Sequence, residues 1–187
     1  MKRLYKYKYL YIFLVLIAII GLVSGYIYFD IQPQNIKQES IELINIKNEL
    51  NSSINNIPKR IKFISKTLIY SFFIIPQLYN IFETFYKPFQ IGFVFNLLKN
   101  HSLKLSLIYN LTYNLIPLII YLILIRISIS ISINIISYII FKENKKINII
   151  KKLLKKYVLI SIFILLYEFI IIIFSKNINA YLMTLIT

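Results

Sequence analysis

From Tyr9 to Phe29 no side chain carries a charge, and the run is bounded by Lys2, Arg3, Lys6 and Lys8 before it and Asp30 after it. Coiled as a helix it reaches about 30 Å, the thickness of a bilayer's hydrocarbon. Apolar stretches recur at Leu105–Ile125 and, with Glu168 as the one charge, at Tyr157–Phe174. Hydrophobic residues make up 58% of the 187 positions and charged ones only 16%, more apolar side chain than one water-bounded core of this size can hide. A lipid-facing surface removes the difficulty. Within lipid a chain must satisfy its own backbone, so the expected class is all-α, a polytopic helical membrane protein.

The pattern reads as a single integral membrane domain over residues 1–187, with about five transmembrane helices and the central ones kinked or broken. The membrane segments fall at 9–29, 63–82, 83–98, 105–125 and 157–174. The first has the basic start and apolar centre of a signal peptide. It is longer than an h-region, though, and Tyr26, Tyr28, Phe29 and Asp30 offer no small-residue cleavage site, so a retained anchor is expected. Residues 31–59 form an extracytoplasmic amphipathic loop. Within it Ile41, Leu43, Ile44, Ile46, Leu50, Ile54 and Ile57 recur mostly at three and four, which fits either a surface helix wetted by Lys47, Asn48, Asn51 and Ser52 or a plain connecting arm.

Pro76 lies inside the second segment and should kink it, since proline lacks an N–H and clashes with the preceding turn. Glu83 and Lys87 stand four apart and can pair on one helix face. The third segment is short and contains Gly92, which implies a tilted, broken or re-entrant helix. Beyond the fourth, residues 127–156 read as an interfacial helix followed by a basic cytoplasmic loop. Ile127, Ile129, Ile131 and Ile133 alternate there with Ser128, Ser130 and Ser132 at the period of a strand. An open strand edge is not tolerated in lipid, so helix is expected.

The formal charge of +15 raises a nucleic-acid reading, and placement excludes it. The basic residues occupy short segments between apolar runs, where membrane proteins keep their topology determinants, and no folded module is left over to face phosphates. Lys142 to Lys156 holds seven lysines against Glu143 alone. Five crossings put that cluster on the same side as Lys2–Lys8, which assigns the amino terminus to the cytoplasm and the carboxyl terminus to the outside of the cell membrane. The group from Lys59 to Lys66 falls on the outer side in this scheme and pulls against it. The abundance of Lys, Ile, Asn, Tyr and Phe also fits coding DNA rich in A and T.

Several residues stand out as candidates for packing or interaction. Gly21 and Gly25 form G-x-x-x-G on one face of the first helix, where missing side chains let a second backbone approach. Only three glycines occur in the chain, and the third, Gly92, is a packing candidate as well. Arg126 and Glu168 are charges within or near apolar helices, and an unpaired charge there is expensive; an Arg126–Glu168 pair is the expectation. Asn110 and Asn114 share a helix face. Pro117 leaves the Tyr113 carbonyl without its helical donor, so an amide could serve as polar glue at a kinked helix or line a conduction path.

Nothing in the sequence announces catalysis. Cysteine is absent, His101 is the lone histidine and sits at an expected membrane boundary, and no zinc-protease, nucleophile-elbow or phosphate-loop motif occurs. No enzyme activity, cofactor or metal is expected.

The order of features resembles the stage II sporulation protein M family of small multi-helix membrane proteins. The likeness rests on GLVSG at Gly21–Gly25, on FYKPFQIGFVFNLL at Phe85–Leu98, and on YNLIPLIIYLILIRISISIS at Tyr113–Ser132. Asn114, Leu115 and Pro117 are similar to the family's N-x-x-P helix start, and Tyr167, Glu168, Asn179, Ala180 and Tyr181 to its closing region. The chain departs from the pattern at Pro88, after Lys87, where the family carries glycine, at Asn96 in place of another glycine, and at Leu118 and Ile119 in place of His-Gly. The resemblance implies five helices and no catalysis: a scaffold that recruits a peptidoglycan-degrading partner or lipoprotein. Expected partners are thus the bilayer and other membrane proteins. The alternative is a membrane subunit of a transporter or permease with Arg126 and Glu168 in a polar pathway; a carrier this small would need to oligomerise.

Overall fold

The computed structural model describes residues 2–37, 56–100, 102–142 and 145–184, and those residues form an all-α bundle. Residues 38–55 of the amphipathic stretch read over 38–57, and His101, lie outside them. Helix α1 spans Lys2–Ile31, α2 Asn56–Tyr70, α3 Gln77–Lys99 and α4 Leu103–Asn110. A π-helical turn, Leu111–Leu115, joins α4 to α5, Ile116–Phe141, and α6 runs over Lys145–Met183.

Three stretches among the described residues are long and apolar enough to cross a membrane: Tyr9–Ile31, Leu103–Phe141 and Lys145–Ser175. They differ in how much they face outward. Two thirds of the Leu103–Phe141 window is buried, against 22% for each of the other two. The α4–α5 rod is therefore the axis of the bundle, with α1 and α6 as flanks. Over the apolar runs of those flanks the outward faces are apolar: Ile12, Phe13, Leu16, Ile19 and Ile20 on α1, and Leu159, Ile162, Phe163, Leu166, Phe169 and Ile170 on α6. Such surfaces suit lipid chains.

Contacts fix the directions. Gly21 meets Phe85 and Gly25 meets Phe89, so α1 and α3 run parallel. Leu14 packs with Tyr121, Leu124 and Ile125, whereas Phe29 packs with Leu105 and Leu182. The axis thus runs antiparallel to α1, and α6 returns antiparallel to the axis.

Three boundaries differ from expectation. The segment read as 63–82 is not one kinked helix, because α2 stops at Tyr70 and the chain reverses into α3, where Pro76 is the N-cap. A proline suits a helix start, where its missing N–H removes nothing the helix would use. The segments 63–82 and 83–98 are therefore redrawn as α2 and a single 23-residue α3. The interfacial helix expected from 127 is not separate either: α5 continues unbroken to Phe141, with Ile127, Ile129 and Ile131 in the apolar core and Ser128 and Ser132 bonded to the end of α2. It ends at Lys142, whose left-handed φ of 49° stops the helix.

Candidate functional site

The α1–α3 crossing is set by all three glycines. A Cβ added at Gly25 would lie 1.9 Å from the Phe89 carbonyl oxygen, one at Gly21 2.3 Å from that of Phe85, and one at Gly92 2.0 Å from that of Leu22. Any side chain at these positions would collide with main chain. The two helices touch backbone to backbone and share the largest interface of the described bundle. Past the glycines the contact turns polar: Asn96 Nδ2 donates to the Tyr26 carbonyl (2.9 Å) and to Asp30 Oδ1 (2.8 Å). At the exposed end Lys99 donates to the Tyr26 hydroxyl (2.6 Å), a bond that raises the lysine's pKa above its ordinary value.

The break between α2 and α3 creates a second polar region, for a reason that lies in the backbone. Ending a helix leaves carbonyls without donors, which lipid cannot supply. Side chains supply them here. Ser128 Oγ donates to the Thr67 carbonyl (2.9 Å), Ser132 Oγ to that of Ser71 (2.7 Å), and Gln77 Nε2 to that of Tyr70 (2.6 Å). Gln77 Nε2 also reaches Ser132 Oγ at 2.7 Å, while Asn80 Nδ2 donates to Gln77 Oε1 at 2.8 Å. The isoleucine–serine alternation acquires its meaning from this contact. Coiled as a helix, Ser128 and Ser132 stand four apart on the face that meets α2.

A third group gathers charges. Arg60, in the second turn of α2, donates from Nε to Glu168 Oε1 of α6 (2.6 Å) and from a terminal nitrogen to the Tyr121 hydroxyl of α5. Its guanidinium carbon lies 5.0 Å from the Tyr121 ring centroid. Lys87 of α3 places its ammonium 4.5 Å from the same centroid and 4.2 Å from that of Phe63. Four helices are tied together at this point.

The expected Arg126–Glu168 pair is therefore corrected: Glu168 is taken by Arg60, and Arg126 lies over the Tyr11 ring at 5.5 Å, near the start of the apolar run on α1. That location explains the outcome, since a long side chain at a membrane boundary finds aromatic and headgroup partners without a carboxylate. Glu83 does not pair with Lys87 either. It accepts from the Tyr79 hydroxyl, while Arg60 forms its ion pair with Glu168.

Asn110 and Asn114 do meet: Asn114 Nδ2 donates to Asn110 Oδ1 (2.9 Å), and Asn110 Nδ2 to the Ser106 carbonyl (2.9 Å). Neither amide serves the Tyr113 carbonyl; the π-helical turn before Pro117 absorbs the irregularity instead. Sequence reading missed Arg60, Lys87, Tyr121, Gln77 and Asn80 as members of the core. Arg60 looks like an ordinary basic flank before an apolar segment. The i, i+3 spacing of Gln77 and Asn80 directly after Pro76 was a usable sign.

Among the described residues no metal-ligand cluster occurs, and no buried side-chain nitrogen or oxygen lacks a partner. Comparisons with protein-family models, with curated proteins and with solved structures find no match to this chain.

Proposed function

We propose that this protein is a non-catalytic scaffold or assembly subunit of the cell membrane. The observation that supports this most directly is the closure of its polar core. Glu168, Gln77, Asn80, Ser128 and Ser132 are all buried and all bonded within the chain. A transport site keeps polar groups free to exchange partners with a solute. A core whose polar groups are spent on one another holds helices in fixed register.

Five crossings, with the amino terminus cytoplasmic and the carboxyl terminus outside, complete the proposal. Parallel α1 and α3 require the chain to return across the bundle between them, and α2 supplies part of that return. Arg126 over Tyr11, with α1 antiparallel to the axis, supports a shared cytoplasmic side for the basic groups around Lys2–Lys8 and Lys145–Lys156, as the positive-inside rule asks. The resemblance to the stage II sporulation protein M family supports the same reading and suggests a cell-wall hydrolase or an outward-facing lipoprotein as partner.

A permease subunit is the second reading, favoured by the interrupted α2–α3 hairpin and by Arg60 and Lys87 inside the bundle. Affinity purification in mild detergent separates the two. A stoichiometric complex with a hydrolase or lipoprotein is the expected result. Copurification of an ATPase, or solute uptake by proteoliposomes of the pure chain, overturns the scaffold.

A further inference from the structure

The outward face of α2 does not match its surroundings. On α1 and α6 that face is apolar, but on α2 it carries Lys59 and Lys62, both exposed, then exposed Ser65 and half-buried Lys66. The three lysines fall three and four apart and so form one stripe along the helix. Ile61 and Ile69, 47% and 57% exposed, lie beside it.

Depth makes the stripe informative. Arg60, at one end of α2, bonds Glu168, which follows Lys156 by about 18 Å along α6 and precedes Ser175 by about 10 Å. Tyr157, at the start of the apolar run of α6, donates to the Ile64 carbonyl (2.7 Å). Lys59 and Lys62 therefore lie alongside the apolar part of α6, while Lys66 stands near its start, with its ammonium 3.5 Å from the Tyr79 ring centroid. Cations at that depth need an anion or a wet surface. The mixture on α2, lysines interleaved with large apolar side chains, is that of a packing surface.

Resting on the scaffold reading, we infer that the outer face of α2 is the docking surface for a membrane helix of another protein, one that carries Asp or Glu side chains at bilayer depth opposite Lys59, Lys62 and Lys66. Charge complementarity selects the occupant. A second copy of this chain, with a net charge of +15, is a poor one. A partner carboxylate neutralises the stripe while apolar neighbours cover Ile61 and Ile69.

Zero-length carbodiimide coupling in native membranes tests this, because it joins a lysine to a carboxylate only in direct contact. The expected product links Lys59, Lys62 or Lys66 to an Asp or Glu of one other membrane protein. The triple variant Lys59→Gln, Lys62→Gln, Lys66→Gln should lose copurification of that protein by about thirtyfold or more, whereas the triple Lys→Arg variant keeps it. Lys151→Gln, Lys152→Gln, Lys155→Gln serves as a charge-matched control. If the triple Gln variant is folded and holds the partner as tightly as wild type, the scaffold stands and this surface is overturned. Links to a second copy of this chain overturn it too. Single cysteines are clean probes here because the chain has none. If Lys62→Cys reacts with a membrane-impermeant maleimide as fast as an exposed loop cysteine, the stripe is open to water and docking fails. Absence of any partner from wild type removes the scaffold reading itself.

Discussion

Gly25→Ala adds one methyl group in the place where the bundle has least room. The new carbon would stand 1.9 Å from the Phe89 carbonyl oxygen and 2.7 Å from its carbon. A carbon–oxygen contact relaxes near about 3.3 Å, so α1 and α3 must part by about 1.4 Å at this level. Nothing flexible can yield, because the opposing atoms are main chain. Overpacking of this kind costs about 1–3 kcal/mol, and the upper half applies here since the displacement spreads to Gly21 and Gly92 on the same crossing. In an uncrowded helix the same change would stabilise by about 1 kcal/mol through propensity. The net expectation is a loss of about 1–2 kcal/mol, read as a lower midpoint of thermal unfolding in detergent. Gly92→Ala should follow closely and Gly21→Ala should be milder, in the order of the 2.0 and 2.3 Å clearances. Val23→Ala, on the exposed face of the same helix, is the control. A Gly25→Ala protein as stable as wild type, or more stable, would refute the backbone-to-backbone crossing, because the sign itself would be wrong.

The charge cluster makes contrasting predictions. Glu168→Gln should cost about 3 kcal/mol, the lower end for breaking a buried pair since Arg60 keeps 18% of its side chain exposed, and Arg60→Met with Glu168→Leu should recover most of it. Thermal melts of the two variants check this; a double variant no better than the single rules out the pair. Arg126→Gln should cost less than about 1 kcal/mol, because it loses one ring contact, and a loss equal to that of Arg60 would restore Arg126 to the core. Gln77→Leu removes the donor to the Tyr70 carbonyl and should cost about 1–3 kcal/mol, with faster protease cleavage between Ser71 and Pro76 as the local readout. For orientation, Lys151→Cys and Asn177→Cys should be labelled by impermeant maleimide from opposite faces of sealed vesicles, and labelling from one face refutes the crossing of α6.

The all-α class was legible because apolar runs of bilayer length leave helices as the natural spanning element. The glycine crossing was legible in part. Four-residue spacing puts Gly21 and Gly25 on one face, but only the folded chain shows that face meeting α3. The turn at 71–76 was hidden by its own composition: Phe72, Phe73, Ile74 and Ile75 extend the apolar run, yet they are 50–80% exposed at a chain reversal. A hydropathy pattern records what a residue is, and here the reversal is enforced by what holds the backbone. Glu168 was correctly marked as needing a partner, but choosing Arg60 over Arg126 depends on which helices touch, a long-range fact that periodicity does not carry.

Stability is unequally distributed across these elements, and the inequality bears on the proposed role. The α1–α3 pair is closed by main-chain contact over about two turns. Helix α2 meets its neighbours far more lightly and is pinned mostly by hydrogen bonds and rings: Arg60 to Glu168 and Tyr121, the Ile64 carbonyl to Tyr157, and its last carbonyls to Ser128, Ser132 and Gln77. Few apolar contacts and many exchangeable polar ones describe the element of a fold that opens at the lowest free energy. It is also the element that carries the lysine stripe. A partner that neutralises the stripe therefore stabilises α2 by its differential affinity for the docked form, and the effect concentrates in α2. Hydrogen exchange at Lys62–Thr67 should slow on complex formation, while exchange at Gly21–Gly25 stays unchanged.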